Sequence, residues 1–492
     1  MQFSVEQQIS YDKYIEKKNI FITGPGGTGK TAIIRHIHSD AYKRGINIQV
    51  CALTGCAAVL LQCKAKTVHS WAGIGLGNGS IEQIITKIIK NKYAKVAWKT
   101  TDILIIDEVS MMSKKLFELL DAVGKAVRRN SKPFGGIQLL FSGDFYQLPP
   151  VGNKDDPETT QFCFESPLWF DTFSVKNHVN LNKIFRQNDP IYQRILNQLR
   201  EGRLKRSSND ILLLNVGKSL PDELLVRPTK LFPTRNKVDS INFAEMNKLI
   251  GQEYECNVKY NVDLEMSASE RVQRLQFTTA QIKTELSYLQ ANLRCDEIVK
   301  LKVGAQVMCI VNIELENGDI LCNGAQGIIV DISQGIPIVK YRNGYQMAMA
   351  YHVWPSELIP GIGVSQVPLI LAWALTIHKA QGSTLEIAEI DAGSGIFECG
   401  QTYVALSRVK SLEGLYLTSF DASRVKINIK VQQFYGLLKE QEVVECLTNI
   451  LPPVEISNIP LTITGVDIEK KTERTITLVG VDFSKFKLKP EL

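Results

Sequence analysis

Eight consecutive residues carry the plainest chemistry in the chain: Gly24-Pro25-Gly26-Gly27-Thr28-Gly29-Lys30-Thr31. They match G-x-x-x-x-G-K-[ST] at every fixed position, after the apolar run Asn19–Thr23 and before a helix-like segment ending near Gly45. Glycines there let backbone N–H groups turn inward and cradle phosphate oxygens, and the positive end of the next helix faces the same anion. Lys30 is placed to reach the β- and γ-phosphates, and the Thr31 hydroxyl to help hold Mg²⁺.

A second constellation follows. Ile103-Leu104-Ile105-Ile106-Asp107-Glu108 is an apolar strand ending in two acids. Delivered to the sheet edge beside the phosphate loop, Asp107 would bind Mg²⁺ and Glu108 would polarise an attacking water. This pairing suits hydrolysis better than phosphate transfer to a small molecule. Gly143-Asp144-Phe145-Tyr146-Gln147-Leu148-Pro149-Pro150 follows another apolar strand. Gln147 donates and accepts at once, so it can sense a γ-phosphate; by itself the segment reads equally as a turn before a proline break. Arg186 and Arg408 lie much further along the chain. A γ-phosphate held by one block needs positive charge from across a cleft, and Arg supplies a fixed fork. Position alone does not separate these two from solvated surface arginines.

These residues need a scaffold, and the bulk properties allow one. The chain has 492 residues, 44% hydrophobic and 22% charged, with a net charge of +6. That is roughly three or four domain lengths of ordinary globular composition. The charge is compatible with a polyanion partner without establishing one. No apolar run approaches a membrane span. The start shows no charged-then-apolar leader, and Glu6, Asp12 and Glu16 argue against a transit peptide. None of the ten cysteines forms a C-x-x-C pair. With no secretion signal, a reducing intracellular setting is expected. Cys51, Cys56, Cys63 and His69 lie close together, but in no known finger spacing, and buried thiols are the better reading.

Residues 1–180 alternate strands and helices. Apolar runs at Asn19–Thr23, Ile48–Leu53, Asp102–Asp107 and Ile137–Ser142 predict buried parallel strands, and Ser113–Arg129 a helix. The expected class is α/β. A second α/β block spans about 181–440, with strand runs at Leu231–Pro233, Ile370–Thr376, Ala388–Asp391 and Gly414–Ser419. Within it, residues 300–360 predict an inserted small β-barrel, with turns at Asn317-Gly318, Asn323-Gly324 and Asn343-Gly344. Residues 65–100 predict a smaller insertion with an amphipathic helix from Ile81 to Lys92. The tail, 441–492, is strand-like and of unassigned role. Gly465-Val466-Asp467 and Gly480-Val481-Asp482 hint weakly at a repeat. The alternation in Phe483-Ser484-Lys485-Phe486-Lys487-Leu488-Lys489 fits an edge strand with lysines outward, or a phosphate-backbone contact.

From about Phe3 to Phe420 the order and wording of these motifs resemble the petite-integration-frequency (Pif) family of superfamily-one DNA helicases, relatives of the RecD type. The resemblance is carried by Ser110-Met111-Met112, Pro133-Phe134-Gly135-Gly136-Ile137-Gln138-Leu139 and the Gly143–Val151 stretch. It continues in Leu53-Thr54-Gly55-Cys56-Ala57-Ala58, Thr67-Val68-His69-Ser70, Leu375-Thr376-Ile377-His378-Lys379-Ala380-Gln381-Gly382-Ser383-Thr384 and Tyr403-Val404-Ala405-Leu406-Ser407-Arg408.

The resemblance implies two tandem RecA-like P-loop domains, with a wedge insertion at 65–100 and an SH3-like β insertion at 300–360. It implies an ATP- and Mg²⁺-dependent DNA helicase that moves 5′ to 3′ on single-stranded DNA and opens forked or structured DNA in replication, repair or recombination; separately from the resemblance, a monomer is expected. The alternative is a translocase with the same engine and weak strand separation. Gln7 matches the adenine-reading glutamine, and Gly24, Gly26, Gly27, Thr28, Gly29, Lys30 and Thr31 the nucleotide loop. Asp107, Glu108 and Gln147 match catalytic positions, and Arg186 and Arg408 the γ-phosphate arginines. Thr54, His69, Thr234, Asn236, His378 and Lys379 fall in segments lining the single-strand path.

The wedge segment departs in reading Gly75-Leu76-Gly77-Asn78-Gly79, and the resemblance places no counterpart for the tail after about 440. Asn236-Lys237-Val238-Asp239 mimics a guanine-reading motif, but a GTPase domain is far shorter and the acids presented after the phosphate loop are Asp107-Glu108, which disfavours a GTPase.

Overall fold

The computed structural model describes residues 3–450, 461–467 and 472–478, apart from 55–56, 59–60, 62, 76, 78, 153–154, 221–225, 292, 294, 316–319, 322 and 357–358. It divides into two units, 1–435 and 436–492.

The first unit opens with a helix, α1 (Val5–Ile15), whose start is fixed by a capping box between Ser4 and Gln7. A six-stranded sheet follows: β1 (Ile20–Thr23), β2 (Ile48–Ala52), β3 (Lys66–Thr67), β4 (Ile103–Asp107), β5 (Gln138–Ser142) and β6 (His178–Asn180). They lie in the order β3-β2-β4-β5-β1-β6. Every pairing is parallel. Parallel strands need both faces covered, which is why β1 and β4 are buried along their whole length. The helix α2 (Lys30–Lys43) packs Ile33, Ile34, Ile37 and Ala41 onto one face. The strand order puts β1 and β4 on either side of β5, so the loops after β1, β4 and β5 emerge side by side at the carboxyl edge.

After β3, the described part of residues 65–100 carries three helices, Val68–Ala72, Ile81–Lys90 and Lys92–Thr100. The expected helix at Ile81–Lys92 therefore stops at Asn91, whose side chain caps the next one by accepting from Tyr93 and Ala94 N–H. Ile84, Ile88 and Trp98 are buried, and Trp98 Nε1 donates to Ala72 O at 3.0 Å.

A second parallel sheet contains β7 (Thr229–Phe232) with strands Ala374–Thr376, Ala388–Ala392 and Leu415–Phe420. Its core joins Ile390, Leu406, Val409 and Leu417 to Tyr192, Ile195 and Leu199 of the helix Pro190–Arg200. The antiparallel insertion has a five-stranded sheet in the order Gln346–Ala348, Ile336–Tyr341, Gln326–Ser333, Gln306–Cys309, Leu369–Leu371. A three-stranded sheet joins Lys259–Asn261, His352–Pro355 and Gly363–Gln366.

Turn chemistry explains one difference from expectation. The longest ladder of the insertion, Gln326–Ser333 with Ile336–Tyr341, turns at Gln334-Gly335 rather than at an Asn-Gly. Both turn residues take positive φ, 51° and 78°, the pair of values that an Asn-Gly turn also supplies. Asn343-Gly344 does turn the next hairpin, closed by Gly344 N–H donating to Tyr341 O. Asn317-Gly318 lies outside the described residues.

The unit 436–492 contains an antiparallel hairpin of Leu461–Asp467 with Thr472–Leu478. The second Gly-Val-Asp and the lysine-alternating stretch 483–489 lie outside the described residues. No described helix is long and apolar enough to cross a membrane. Among the described residues no group of His, Cys, Asp and Glu is arranged to hold a metal by itself. Cys51 and Cys63 are buried, and burial pushes both thiols up, Cys63 to about 11. That agrees with packed thiols; Cys56 lies outside the described residues.

Candidate active site

The loop Gly24–Gly29 joins β1 to α2, with Lys30 as the first helical residue and Gly29 as its N-cap. Gly24, Gly27 and Gly29 take φ of 138°, 86° and 82°, values that L side chains resist. A side chain at Gly24 would also meet Leu181 O at 2.3 Å. Glycine is thus demanded by backbone angle and close approach together. Lys30 Nζ donates to Gly24 O at 2.7 Å and Pro25 O at 3.0 Å, folding over its own loop. Burial pulls its pKa down, while Asp144, Glu108 and Asp107 pull the other way.

Gln7 reaches the loop from α1, donating from Nε2 to Thr28 O at 3.3 Å. Asp107 ends β4 and is 7% exposed. Burial, then the Glu108 charge, push its carboxyl up to about 6. Glu108 takes φ 57° and opens a short 3₁₀ turn. An enclosed acid beside a second acid, next to the Thr31 helix start, is a donor set of oxygen type that suits a divalent cation. Gln147 is buried in the tight turn after β5, where its N–H donates to Asp144 O at 2.8 Å.

The two arginines converge on the same loop from the far side. A Cβ placed on Gly26 would lie 3.4 Å from Arg408 Nη2 and 3.6 Å from Arg186 Nη1. Arg408 is anchored by Nε donating to Val404 O and Nη2 to Ser407 Oγ. Arg186 Nη1 donates to Ser407 O at 3.0 Å. Burial, then the Arg408 guanidinium, pull Arg186 down to about 9; burial lowers Arg408 as well. Both stay protonated, because guanidinium does not titrate near neutrality. The shifts therefore mean two confined cations whose mutual repulsion an anion would relieve.

The strand-contact candidates divide. Thr54, His378 and Lys379 line one cavity of about 880 Å³ together with Gly26, Lys30, Asp107, Glu108, Gln147, Arg186 and Arg408. His69 lies on the short helix Val68–Ala72, outside that lining. Thr234 and Asn236 begin the exposed helix Arg235–Lys248. In the stretch resembling a guanine reader, Lys237 pairs with Asp391 at 2.7 Å and Asp239 with Arg235 at 3.3 Å, so neither is a free base reader.

Further groups join the site that sequence reasoning did not single out. Tyr403 OH accepts from Gly26 N–H at 2.8 Å. Gln381 Nε2 donates to Glu108 Oε2 at 3.2 Å, tying the His378-Lys379 turn to the acid pair. Arg200 holds Asp144 by two bonds of 2.9 Å. Tyr403 and Gln381 sit inside recognised motif stretches, which was a signal of a kind; Arg200 had none.

Family models described as PIF1-like helicase and as DNA helicase Pif1, 2B domain, match residues 2–218 and 286–332. The chain is 31% identical to the ATP-dependent DNA helicase RRM3 of Saccharomyces cerevisiae, covering 89% of this chain and 68% of that one. It is 33% identical to the ATP-dependent DNA helicase PIF1 of Homo sapiens, covering 89% and 64%. The chain thus spans about two thirds of the length of these curated relatives. Among solved structures, Pif1 helicase from Candida albicans is 33% identical with a TM-score of 0.68, covering 89% of this chain and 100% of that one. Bacteroides Pif1 in complex with ADP-AlF4 scores 0.70 at 27% identity, covering 90% and 98%. The same protein bound to single-stranded DNA scores 0.60 at 27% identity, with the same coverage.

Proposed function

The chain belongs to the Pif1 family of DNA helicases, and from that premise we propose that it is an ATP-driven motor that moves along single-stranded DNA and parts duplex DNA ahead of it. The observation that carries this reading is the convergence of Arg186 and Arg408, from beyond the first sheet, onto the glycine loop after β1. A nucleotide bound there would touch both lobes at once, so its charge state would bias how they sit together.

The roles proposed follow the geometry. The N–H groups of Gly26, Gly27, Thr28 and Gly29 cradle the phosphates of ATP. Lys30 exchanges its carbonyl partners for β- and γ-phosphate oxygens. Gln7, against Thr28, reads the adenine edge. Thr31 and Asp107 would hold Mg²⁺, which would neutralise the charge that develops on the phosphates. Glu108 orients the attacking water and accepts its proton, and Gln147 senses the γ-phosphate. Arg186 and Arg408 stabilise the charge that builds on the γ-phosphoryl group as it passes from ADP to water. Their buried, repelling charges make that stabilisation strong and tie it to the phosphate. Once the γ-phosphate leaves, the differential contact is gone and the cleft relaxes.

On the polymer side, Thr54, His378 and Lys379 are proposed to grip the phosphate backbone near the nucleotide, and His69, Thr234 and Asn236 further along the path. Binding dominated by phosphates should weaken with salt and read little sequence. We assign the RecA-like lobes to 1–180 and 181–440, the wedge to 65–100 and the SH3-like element to the antiparallel insertion around 300–360. Forked DNA is the proposed substrate, with 5′-to-3′ movement and action as a monomer.

The deciding experiment is steady-state ATP hydrolysis with and without single-stranded DNA, with Lys30→Ala as control, followed by unwinding of duplexes carrying a 5′ or a 3′ tail. Strong DNA stimulation, lost in the variant, with unwinding from the 5′ tail is expected. Turnover indifferent to DNA would remove the motor reading.

A further inference from the structure

The helix Ile429–Ile450 follows the second parallel sheet, yet its first turns pack against the first. Phe434 stacks on Phe164 with centroids 4.5 Å apart, among Phe21, Phe145 and Trp169. The next residue, Tyr435, is buried and lies parallel to Tyr146, 4.8 Å away at 10°. Its hydroxyl accepts from Phe145 N–H at 3.1 Å and pairs with Thr23 Oγ1 at 2.6 Å. Thr23 is the last residue of β1, immediately before Gly24. Phe145 lies two residues before Gln147. One oxygen therefore spans the two segments that carry the phosphate loop and the γ-phosphate sensor.

The surroundings make this joint stiff. Arg200, at the end of the helix Pro190–Arg200, sits over the Tyr146 ring at 4.7 Å and the Tyr435 ring at 5.4 Å. It pairs with the wholly buried Asp144 through both carboxylate oxygens. Burial lowers the Arg200 pKa, but the Asp144 charge and hydrogen bonds override it and hold it above the usual value. Gly400 presses the same turn from another side: a Cβ there would meet Tyr146 O at 2.4 Å and Gln147 O at 2.8 Å. The 144–147 turn is thus clamped by three elements from beyond the first sheet. Of these, Tyr435 also touches the strand leading into the phosphate loop.

We propose that Tyr435 is a positioning residue of the ATP site: its hydroxyl locks the Gln147 turn to the end of β1, so that the sensor and the phosphate loop stay in register. Tyr435 touches no reacting atom and acts through Phe145 and Thr23. This rests on the ATPase reading above. A tyrosine kept only for packing would be served equally by phenylalanine, because the ring stack and the apolar contacts need no hydroxyl. With Phe, the buried Phe145 N–H loses its partner, and the turn gains freedom to move in search of one.

The test uses the full chain and the variants Tyr435→Phe, Thr23→Val and their combination. Tyr435→Phe should lower DNA-stimulated kcat roughly three- to tenfold, the worth of one buried hydrogen bond, with KM for ATP within about twofold. Thr23→Val should have a smaller effect, and the double variant should be no worse than Tyr435→Phe, since both cut the same bridge. Hydrogen exchange, read on the same proteins, should show faster exchange at Phe145–Gln147 in Tyr435→Phe and unchanged exchange along β2 and β4. Unchanged kcat and unchanged exchange in Tyr435→Phe would overturn the proposal, as would single effects that multiply in the double variant. If the parent protein shows no turnover, the motor reading falls separately. Exchange at Phe145–Gln147, with the affinity for fluorescently labelled ADP, then decides the role of Tyr435 by itself.

Discussion

Two strand–turn–helix units in this protein start from the same plan and end differently. β1 runs into α2 through six residues, Gly24–Gly29. β7 reaches its helix, Arg235–Lys248, through only Pro233 and Thr234. Both strands are central and parallel, and both helices start at the carboxyl edge of their sheet. The first loop is long enough, and left-handed often enough, to turn a row of N–H groups toward an anion. The second is too short, and its Thr234 makes no side-chain cap. The helix beyond it spends its cations locally, with Lys237 on Asp391 and over the Phe232 ring at 4.6 Å. A parallel α/β lobe is therefore not by itself a nucleotide site. The second lobe contributes through arginines carried on other segments, which need only reach.

The comparison is broken most severely at Lys30. Lys30→Ala is expected to cut turnover by at least about a hundredfold, whereas Lys237→Ala, its counterpart in the second unit, should change kcat less than about twofold; steady-state ATPase assays check both. Arg408→Ala comes next, with a fall in kcat on the order of a hundredfold and ADP affinity nearly kept. Equal loss of ADP and ATP-analogue binding would show that Arg408 serves the ground state rather than the γ-phosphate.

Backbone strain separates the two regions by stability. Gly24→Ala should cost about 2–4 kcal/mol, from a φ of 138° and a 2.3 Å approach to Leu181 O. Gly217→Ala, at φ 67° with open space around it, should cost only about 1 kcal/mol; denaturant melts of the two variants give the ratio. A smaller contrast depends on pH. His178 on β6 accepts from Trp169 Nε1 at 3.0 Å, and its Nδ1 faces Val175 O at 3.0 Å, so the neutral ring is the one that fits. Burial lowers it to about 4, against backbone hydrogen bonds that raise it. The unfolded chain then takes up a proton near pH 6.5 that the folded one refuses. Stability is full above that pH and falls as pH drops toward 4, by on the order of 2–3 kcal/mol. His178→Gln should flatten that slope. The strands of the second sheet contain no histidine, but His378, just after Ala374–Thr376, is also lowered by burial and adds a slope of the same sign.

The tertiary arrangement also corrects how far local signals extend. The antiparallel insertion was legible from its alternation and turns, yet its longest hairpin turns at Gln334-Gly335. Any pair that tolerates two positive φ values can serve, and Asn is favoured rather than required. The helix expected through Lys92 breaks at Asn91, because a side-chain oxygen that caps the next helix competes with continuing the first.

What the residues determined alone is what depends on near neighbours. The Gly24–Thr31 loop is contiguous, its glycines answer to their own φ, and its strand and helix flank it directly. The apolar runs of both parallel sheets follow from the need to bury two faces. What only the folded chain decided is which distant charges meet. Arg186 and Arg408 are named through the family resemblance and Arg200 not at all, yet residue type and spacing alone separate none of the three; two face the phosphate loop and one is locked on Asp144, 56 residues away in sequence. Tyr435 has no local pattern to announce it, because its role depends on a helix from one end of the unit crossing to the sheet at the other. Long-range electrostatics and packing are properties of positions in space, and the sequence specifies those only through the fold as a whole.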